Sequence, residues 1–124
     1  MIEIPVSVGE LIDKITILKI KAYKIKDTLK LSNVTKELLA LQSKLSILNI
    51  TNEMLDIQRE LQEVNESLWG IEDDLRIMEK NEIFDMEFIN KARSVYKLND
   101  KRFLLKKKLN IISDSKIFEE KSYE

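Results

Sequence analysis

Residues 52–80 of the chain read NEMLDIQRELQEVNESLWGIEDDLRIMEK, and this stretch decides the fold. Its apolar side chains recur at alternating spacings of four and three residues, at Ile57, Leu61, Val64, Leu68, Ile71, Leu75 and Met78. This spacing is typical of an α-helix that buries a narrow stripe against other helices, as in a coiled coil. Thr51 or Asn52 is predicted to cap the N-terminus of this helix, which is predicted to reach Lys80.

The same spacing appears twice before this stretch. Ser7 followed by Glu10 forms a capping box, and it opens a first helix that is predicted to run to about Lys30. The stripe of that helix is Leu11, Ile15, Leu18, Ala22, Ile25 and Leu29. Ser32 or Asn33 is predicted to cap a second helix, and the short linker makes the two helices antiparallel neighbours. The stripe of the second helix is Val34, Leu38, Leu41, Leu45 and Leu48.

A fourth helix is predicted after residue 85, with Asp85 as its cap. Its inner stripe becomes polar partway along, from Asn99 onward. The stripe comprises Phe88, Ala92, Val95, Asn99, Arg102 or Phe103, Lys106 and Leu109. Before the first helix, Ile2 to Val6 alternates apolar and polar residues and predicts a short extended segment. We therefore expect one all-α domain of residues 1–124, built from antiparallel helical hairpins with coiled-coil-like heptads.

The composition of the chain excludes several kinds of chemistry. Among 124 residues there are two Gly and one Pro, which favours long helices, and there is neither Cys nor His. The chain therefore has no disulfide and no thiol nucleophile. It also lacks histidine, which is the commonest general base and transition-metal ligand. No apolar run approaches the roughly 18 residues of a membrane span, and no signal peptide is evident, so we expect a cytoplasmic protein without a membrane partner.

Opposite charges are concentrated in adjacent segments. Residues 52–87 carry twelve acids and three bases, a net charge of −9, whereas residues 91–116 carry nine bases and two acids, a net charge of +7. If the third and fourth helices form an antiparallel hairpin turning near residue 83, the numbers of facing residues sum to about 166. Arg93 then faces Asp73, and the Tyr96 ring lies over Gly70. Such matching within the chain argues against a nucleic-acid partner.

The predicted helices are unequal, because the first pair is shorter than the second. One hairpin therefore cannot bury the full stripe of the other, and a second copy related by a two-fold axis would cover the remainder. This predicts a homodimer.

Polar and charged residues approach the predicted core at one place. Ion pairs there would flank a buried Asn99 that fixes the register of the helices, which we favour over a ligand pocket or a partner contact. This candidate cluster comprises Asn65, Glu72, Asp73, Arg93, Asn99 and Arg102. The run from Lys106 to Lys108 could meet phosphate or lipid, but a solvated helix end accounts for it more simply.

A second pattern predicts a different function. Glu60 and Glu63 share one helix face, and Glu82 and Asp85 repeat the same spacing further along. Two such carboxylate pairs on facing helices could hold Mg²⁺ for attack on a nucleoside triphosphate. The pattern is formally similar to that of the all-α, MazG-like nucleotide pyrophosphatases. Helical chorismate mutases are another all-α class, but the four Arg of this chain are not placed as their dianion site requires.

Several longer motifs carry a resemblance to a known family. They are Ile4 to Leu18 (IPVSVGELIDKITIL), Val64 to Asp73 (VNxxLWxIED), Phe84 to Ile89 (FDxxFI), Ala92 to Tyr96 (ARxVY), Asn99-Asp100 and Glu119 to Tyr123 (EEKSY). The chain resembles a small family of bacterial and phage-encoded proteins known only as a domain of unknown function. The resemblance implies a free-standing single domain and no particular activity. It also points to both chain ends, whose motif residues the heptads do not explain.

The residues and the resemblance together leave the function unknown. They favour a homo-oligomeric helical binding or scaffold module without a cofactor over an enzyme. The alternative is a Mg²⁺-dependent nucleotide hydrolase that uses the four carboxylates.

Overall fold

The computed structural model describes residues 1–114 and residue 120. Four α-helices follow one another, α1 (Val8–Lys24), α2 (Thr28–Leu45), α3 (Asn52–Lys80) and α4 (Met86–Ile112). The predicted all-α fold is confirmed. Residues 1–7 are in neither helix nor strand, and their apolar side chains point into solvent. No helix in the described part of the chain is both long enough and apolar enough to span a membrane.

Three helices begin at the caps that the sequence predicts. The side chains of Ser7, Thr51 and Asp85 each accept a hydrogen bond from the backbone N–H three residues later, at 3.1, 3.2 and 3.0 Å. Each cap satisfies one of the N–H groups that a helix leaves without a partner at its N-terminus. Local sequence therefore sets the start of α1, α3 and α4.

The predicted boundary between the first two helices is wrong. α1 ends at Lys24 instead of near Lys30, and α2 begins after Asp27, whose carboxylate accepts a hydrogen bond from the Lys30 N–H at 2.9 Å. Ser32 and Asn33 lie inside α2, and Leu29 is 73% exposed. The 4-3 spacing continues past the true helix end, but the Asp27 cap and the return of α2 along α1 break the helix there.

α1 lies at the centre of the molecule. It packs against each of the other three helices, whereas α2 runs alongside α1 alone and buries none of its residues fully. The main hydrophobic core lies between α1 and the α3–α4 hairpin and contains Ile12, Met54, Ile57, Leu61, Val64, Leu68, Leu105 and Leu109. The predicted stripe of α3 faces this core over most of its length. The α2 stripe from Val34 to Leu45 is only half-buried.

Contacts between the helices fix their relative directions. Gly9 contacts Asn110 and Asp13 contacts Arg102, so α1 runs antiparallel to α4. α3 and α4 are consecutive arms of a hairpin, and the Lys91 ammonium lies 2.9 Å from an Asp74 carboxylate oxygen, close to the predicted alignment. α1 has 17 residues and α3 has 29, about 26 and 43 Å long, so the predicted inequality of the helices is present.

Candidate functional site

A buried carboxylate lies where α1, α3 and α4 meet. The Asp13 side chain is completely buried. Arg102 of α4 donates to both of its oxygens, from Nε to Oδ1 at 2.9 Å and from Nη2 to Oδ2 at 2.5 Å. This two-point geometry matches the planar guanidinium to the planar carboxylate and is the strongest form of such a pair. Asp13 and Arg102 therefore tie α1 to α4.

Asn65 of α3 completes this group. Its Nδ2 donates to Asp13 Oδ1 at 2.9 Å and to the Thr16 hydroxyl at 2.8 Å, and Thr16 in turn donates to the Asp13 carbonyl at 2.7 Å. Asn99 accepts a longer hydrogen bond of 3.4 Å from Arg102. These five residues form the Asp13 cluster. Among the described residues no buried side-chain nitrogen or oxygen is without a partner, so the cluster is fully satisfied.

The chemistry of the Asp13 cluster favours fixing register over binding a ligand. Both Asp13 oxygens already accept hydrogen bonds, and the carboxylate does not reach solvent. Sliding α1 along α4 by one turn would leave this carboxylate without its guanidinium, and an uncompensated buried charge costs about 3–5 kcal/mol. The cluster therefore supports one alignment of the three helices.

One turn towards the N-terminus of α1, the backbones of α1 and α4 approach closely. The Gly9 N–H donates to the Asn110 side-chain oxygen at 2.7 Å. A Cβ atom on Gly9 would lie 2.4 Å from the Lys106 carbonyl oxygen and 2.9 Å from that Asn110 oxygen. Because one of these is a backbone atom, only glycine fits without moving the helices apart.

A second ion pair flanks this approach. The Lys106 ammonium lies 2.7 Å from a Glu10 carboxylate oxygen, and Lys106 is buried. The interpretation of Lys106 to Lys108 as a solvated helix end is therefore wrong for Lys106. Lys107 and Lys108 are exposed, as that interpretation requires.

The predicted candidate cluster divides into two groups. Asn65, Asn99 and Arg102 come together around Asp13. Glu72, Asp73 and Arg93 are exposed, and no ion pair joins them within the described residues. The expected pair of Arg93 with Asp73 is replaced, nearby, by that of Lys91 with Asp74. The hydrogen bond from Lys91 to Asp74 raises the pKa of the Lys91 ammonium above its ordinary value.

The predicted packing of Tyr96 over Gly70 is also wrong. A Cβ atom placed on Gly70 would meet nothing within 4 Å, and Tyr96 is exposed. Tyr96 lies on the outer face of α4, away from α3. Gly70 therefore has no close neighbour that requires a glycine.

The four carboxylates of the magnesium hypothesis lie apart from the Asp13 cluster. Glu60 and Glu63 are exposed on α3, Glu82 lies in the turn after α3 with a positive φ of 56°, and Asp85 caps α4. In residues 1–114 and 120, no three acidic side chains are grouped closely enough to hold a metal ion. The hypothesis stays a prediction that metal titration can test.

Four residues that make these contacts between helices were not predicted from the sequence. They are Gly9, Asp13, Thr16 and Asn110. Gly9, Asp13 and Thr16 belong to the N-terminal motif, which the heptads left unexplained, so that motif was the available signal. Apart from Glu120, the C-terminal EEKSY motif lies outside the described residues.

Comparison with known proteins gives the family and no activity. No match was found among curated proteins, and none among solved structures. The sequence model of one family matches residues 2–124, and that family is described as a family of unknown function (DUF6165). The match covers nearly the whole chain, including the N-terminal motif that contacts α4. The chain therefore belongs to this family of unknown function, DUF6165.

Proposed function

We propose that the chain is a homo-oligomeric helical module that acts as a binding partner or scaffold for other molecules. One observation carries this proposal. Among the described residues, eighteen large hydrophobic side chains are exposed, whereas thirteen hydrophobic side chains are buried. Single exposed hydrophobic residues are normal on a monomer, but exposed hydrophobic residues that lie together on one face indicate surface that another chain covers.

Two further features support the proposal. The chain exposes 8871 Å², whereas a compact monomer of this mass exposes about 6,900 Å². The extended residues 1–6 contribute part of the difference, and the one-sided packing of α2 contributes another part. Both leave apolar surface available for association.

The composition of the Asp13 cluster agrees with a binding module. Its polar groups form hydrogen bonds between helices, and both oxygens of the Asp13 carboxylate are buried, where a substrate would not reach them. The surface, more than this interior cluster, is where a partner would bind.

The mass of the protein in solution tests the proposal. Sedimentation velocity at tens of micromolar should give twice the chain mass of 14.6 kDa. A mass of one chain across that range would overturn homo-oligomerisation. The same measurement after dilution to nanomolar concentration gives the dissociation constant against which variants are compared.

A further inference from the structure

The outer face of α4 carries a second apolar stripe besides the one that faces the core. At 100° per residue, eight residues share this outer face at spacings of three and four. They are Met86, Ile89, Arg93, Tyr96, Asp100, Leu104, Lys107 and Ile111. The five apolar members are all exposed, between 44% and 63%. These five apolar side chains therefore form an exposed stripe along the whole helix, and none of the other three helices covers it.

The area of this stripe is sufficient for a dimer. For large side chains of roughly 150–250 Å² each, the five exposures give on the order of 500 Å² of apolar surface per copy. Two copies together would bury at most about 1,000 Å² from these side chains, which is close to the lower limit of specific interfaces. The flanking stems of Lys97 and Lys101 would add to it.

The two ends of α4 carry opposite charges. Glu82 and Asp85 lie in the turn before α4, whereas Lys107 and Lys108 lie near its C-terminal end. The segmental charge difference is not neutralised inside the hairpin, because one ion pair, Lys91 with Asp74, joins α3 to α4 among the described residues. Lys107 and Lys108 form no ion pair there.

We infer that a second copy of this chain docks along the outer face of α4, with the two α4 helices antiparallel about a two-fold axis near residues 98 and 99. This inference rests on the proposed homo-oligomer and names its interface. Only an antiparallel copy places both acidic ends over both basic ends at once. A parallel copy would oppose like charges, and it would align the helix dipoles unfavourably.

The two-fold relation sets a register. The numbers of facing residues sum to about 197, because both helices rise equally per residue. Met86 then faces Ile111 of the second copy, and Arg93 faces Leu104, whose side chain packs along the arginine stem. Lys97 faces Asp100. Each of these contacts occurs twice in the dimer.

Cysteine crosslinking tests this register, because the chain has no native cysteine. Met86→Cys and Ile111→Cys proteins, mixed and oxidised, should give a crosslinked pair. Either protein alone should give none, since its two cysteines would lie about 38 Å apart. Self-crosslinking of Met86→Cys would show a parallel arrangement and overturn the inference. A mixture that forms no crosslink while the protein sediments as a dimer would overturn it too.

A matched pair of substitutions tests the face. Leu104 on α4 and Leu39 on α2 are both 61% exposed and both lie inside helices. Leu104→Asp should raise the dimer dissociation constant about 100-fold or more, since each dimer loses two buried leucines, whereas Leu39→Asp should change it less than about threefold. The reverse result would place the second copy on α2, and would leave homo-oligomerisation intact. A wild-type protein of one-chain mass would reject both proposals.

Discussion

The two glycines of the chain should respond oppositely to alanine. Gly9 lies in the first turn of α1 against α4, and Gly70 lies within α3 with open space around it. Helix propensity alone favours alanine over glycine by about 1 kcal/mol at either position. Only packing distinguishes them, so the pair isolates the tertiary contribution.

At Gly9 the packing penalty should exceed the gain in propensity. A Cβ atom 2.4 Å from the Lys106 carbonyl oxygen and 3.0 Å from the carbonyl carbon forces α1 and α4 apart. Overpacking of this kind costs about 1–3 kcal/mol, and weakening the 2.7 Å hydrogen bond from Gly9 to Asn110 costs about 0.5–1.5 kcal/mol more. Gly9→Ala should therefore lower the free energy of unfolding by about 2 kcal/mol. Gly70→Ala should raise it by about 0.5–1 kcal/mol.

Urea denaturation followed by circular dichroism measures both changes. The variants must be compared at one protein concentration, because the stability of an oligomer depends on it. Gly9→Ala protein as stable as the native chain would refute the close approach of α1 to α4. If Gly70→Ala were destabilised equally, general sensitivity of the helices to alanine would explain the result instead.

Three other perturbations test the buried pair, the surface pair and the magnesium hypothesis. Arg102→Leu leaves the Asp13 carboxylate buried without its guanidinium and should lower the free energy of unfolding by about 3–5 kcal/mol. Adding Asp13→Asn should recover part of this loss in urea titrations. A loss below about 1 kcal/mol for Arg102→Leu would contradict the burial of an unpaired charge. Because pairing with Asp74 raises the pKa of Lys91, the pair stabilises the fold fully below pH 10.5, the ordinary pKa of lysine, and this stabilisation is lost as the pH rises through the raised pKa. The melting-temperature difference between native and Lys91→Met protein should therefore shrink above pH 10.5. A difference that is constant with pH would show that the pair contributes nothing. Calorimetric titration with Mg²⁺ should give no saturable heat. Saturable binding would support the nucleotide hydrolase instead if replacing any one of the four carboxylates by an amide abolished it; these are Glu60, Glu63, Glu82 and Asp85.

Local chemistry determines much of this protein directly from its sequence. The 4-3 spacing of α3, the three caps and the near absence of Gly and Pro specify long helices whatever they pack against. The approximate alignment of α3 with α4 also follows, because a hairpin with one turn has a single alignment. The Asp27 cap was equally local, but an apolar spacing that continued across it concealed the helix break.

The contacts of the candidate site depended on tertiary structure. Asp13 lies in α1 among apolar residues, and nothing near it in sequence names Arg102, 89 positions away, as its partner. The energy that selects this pairing arises only after α1, α3 and α4 exclude water around the carboxylate. In the same way, periodicity found the inner stripe of α4 but not the outer one, because a spacing shows that residues share a face and not which face meets solvent. The sequence determined the helices, whereas packing decided which faces became core, site and surface, since burial depends on neighbours that are distant along the chain.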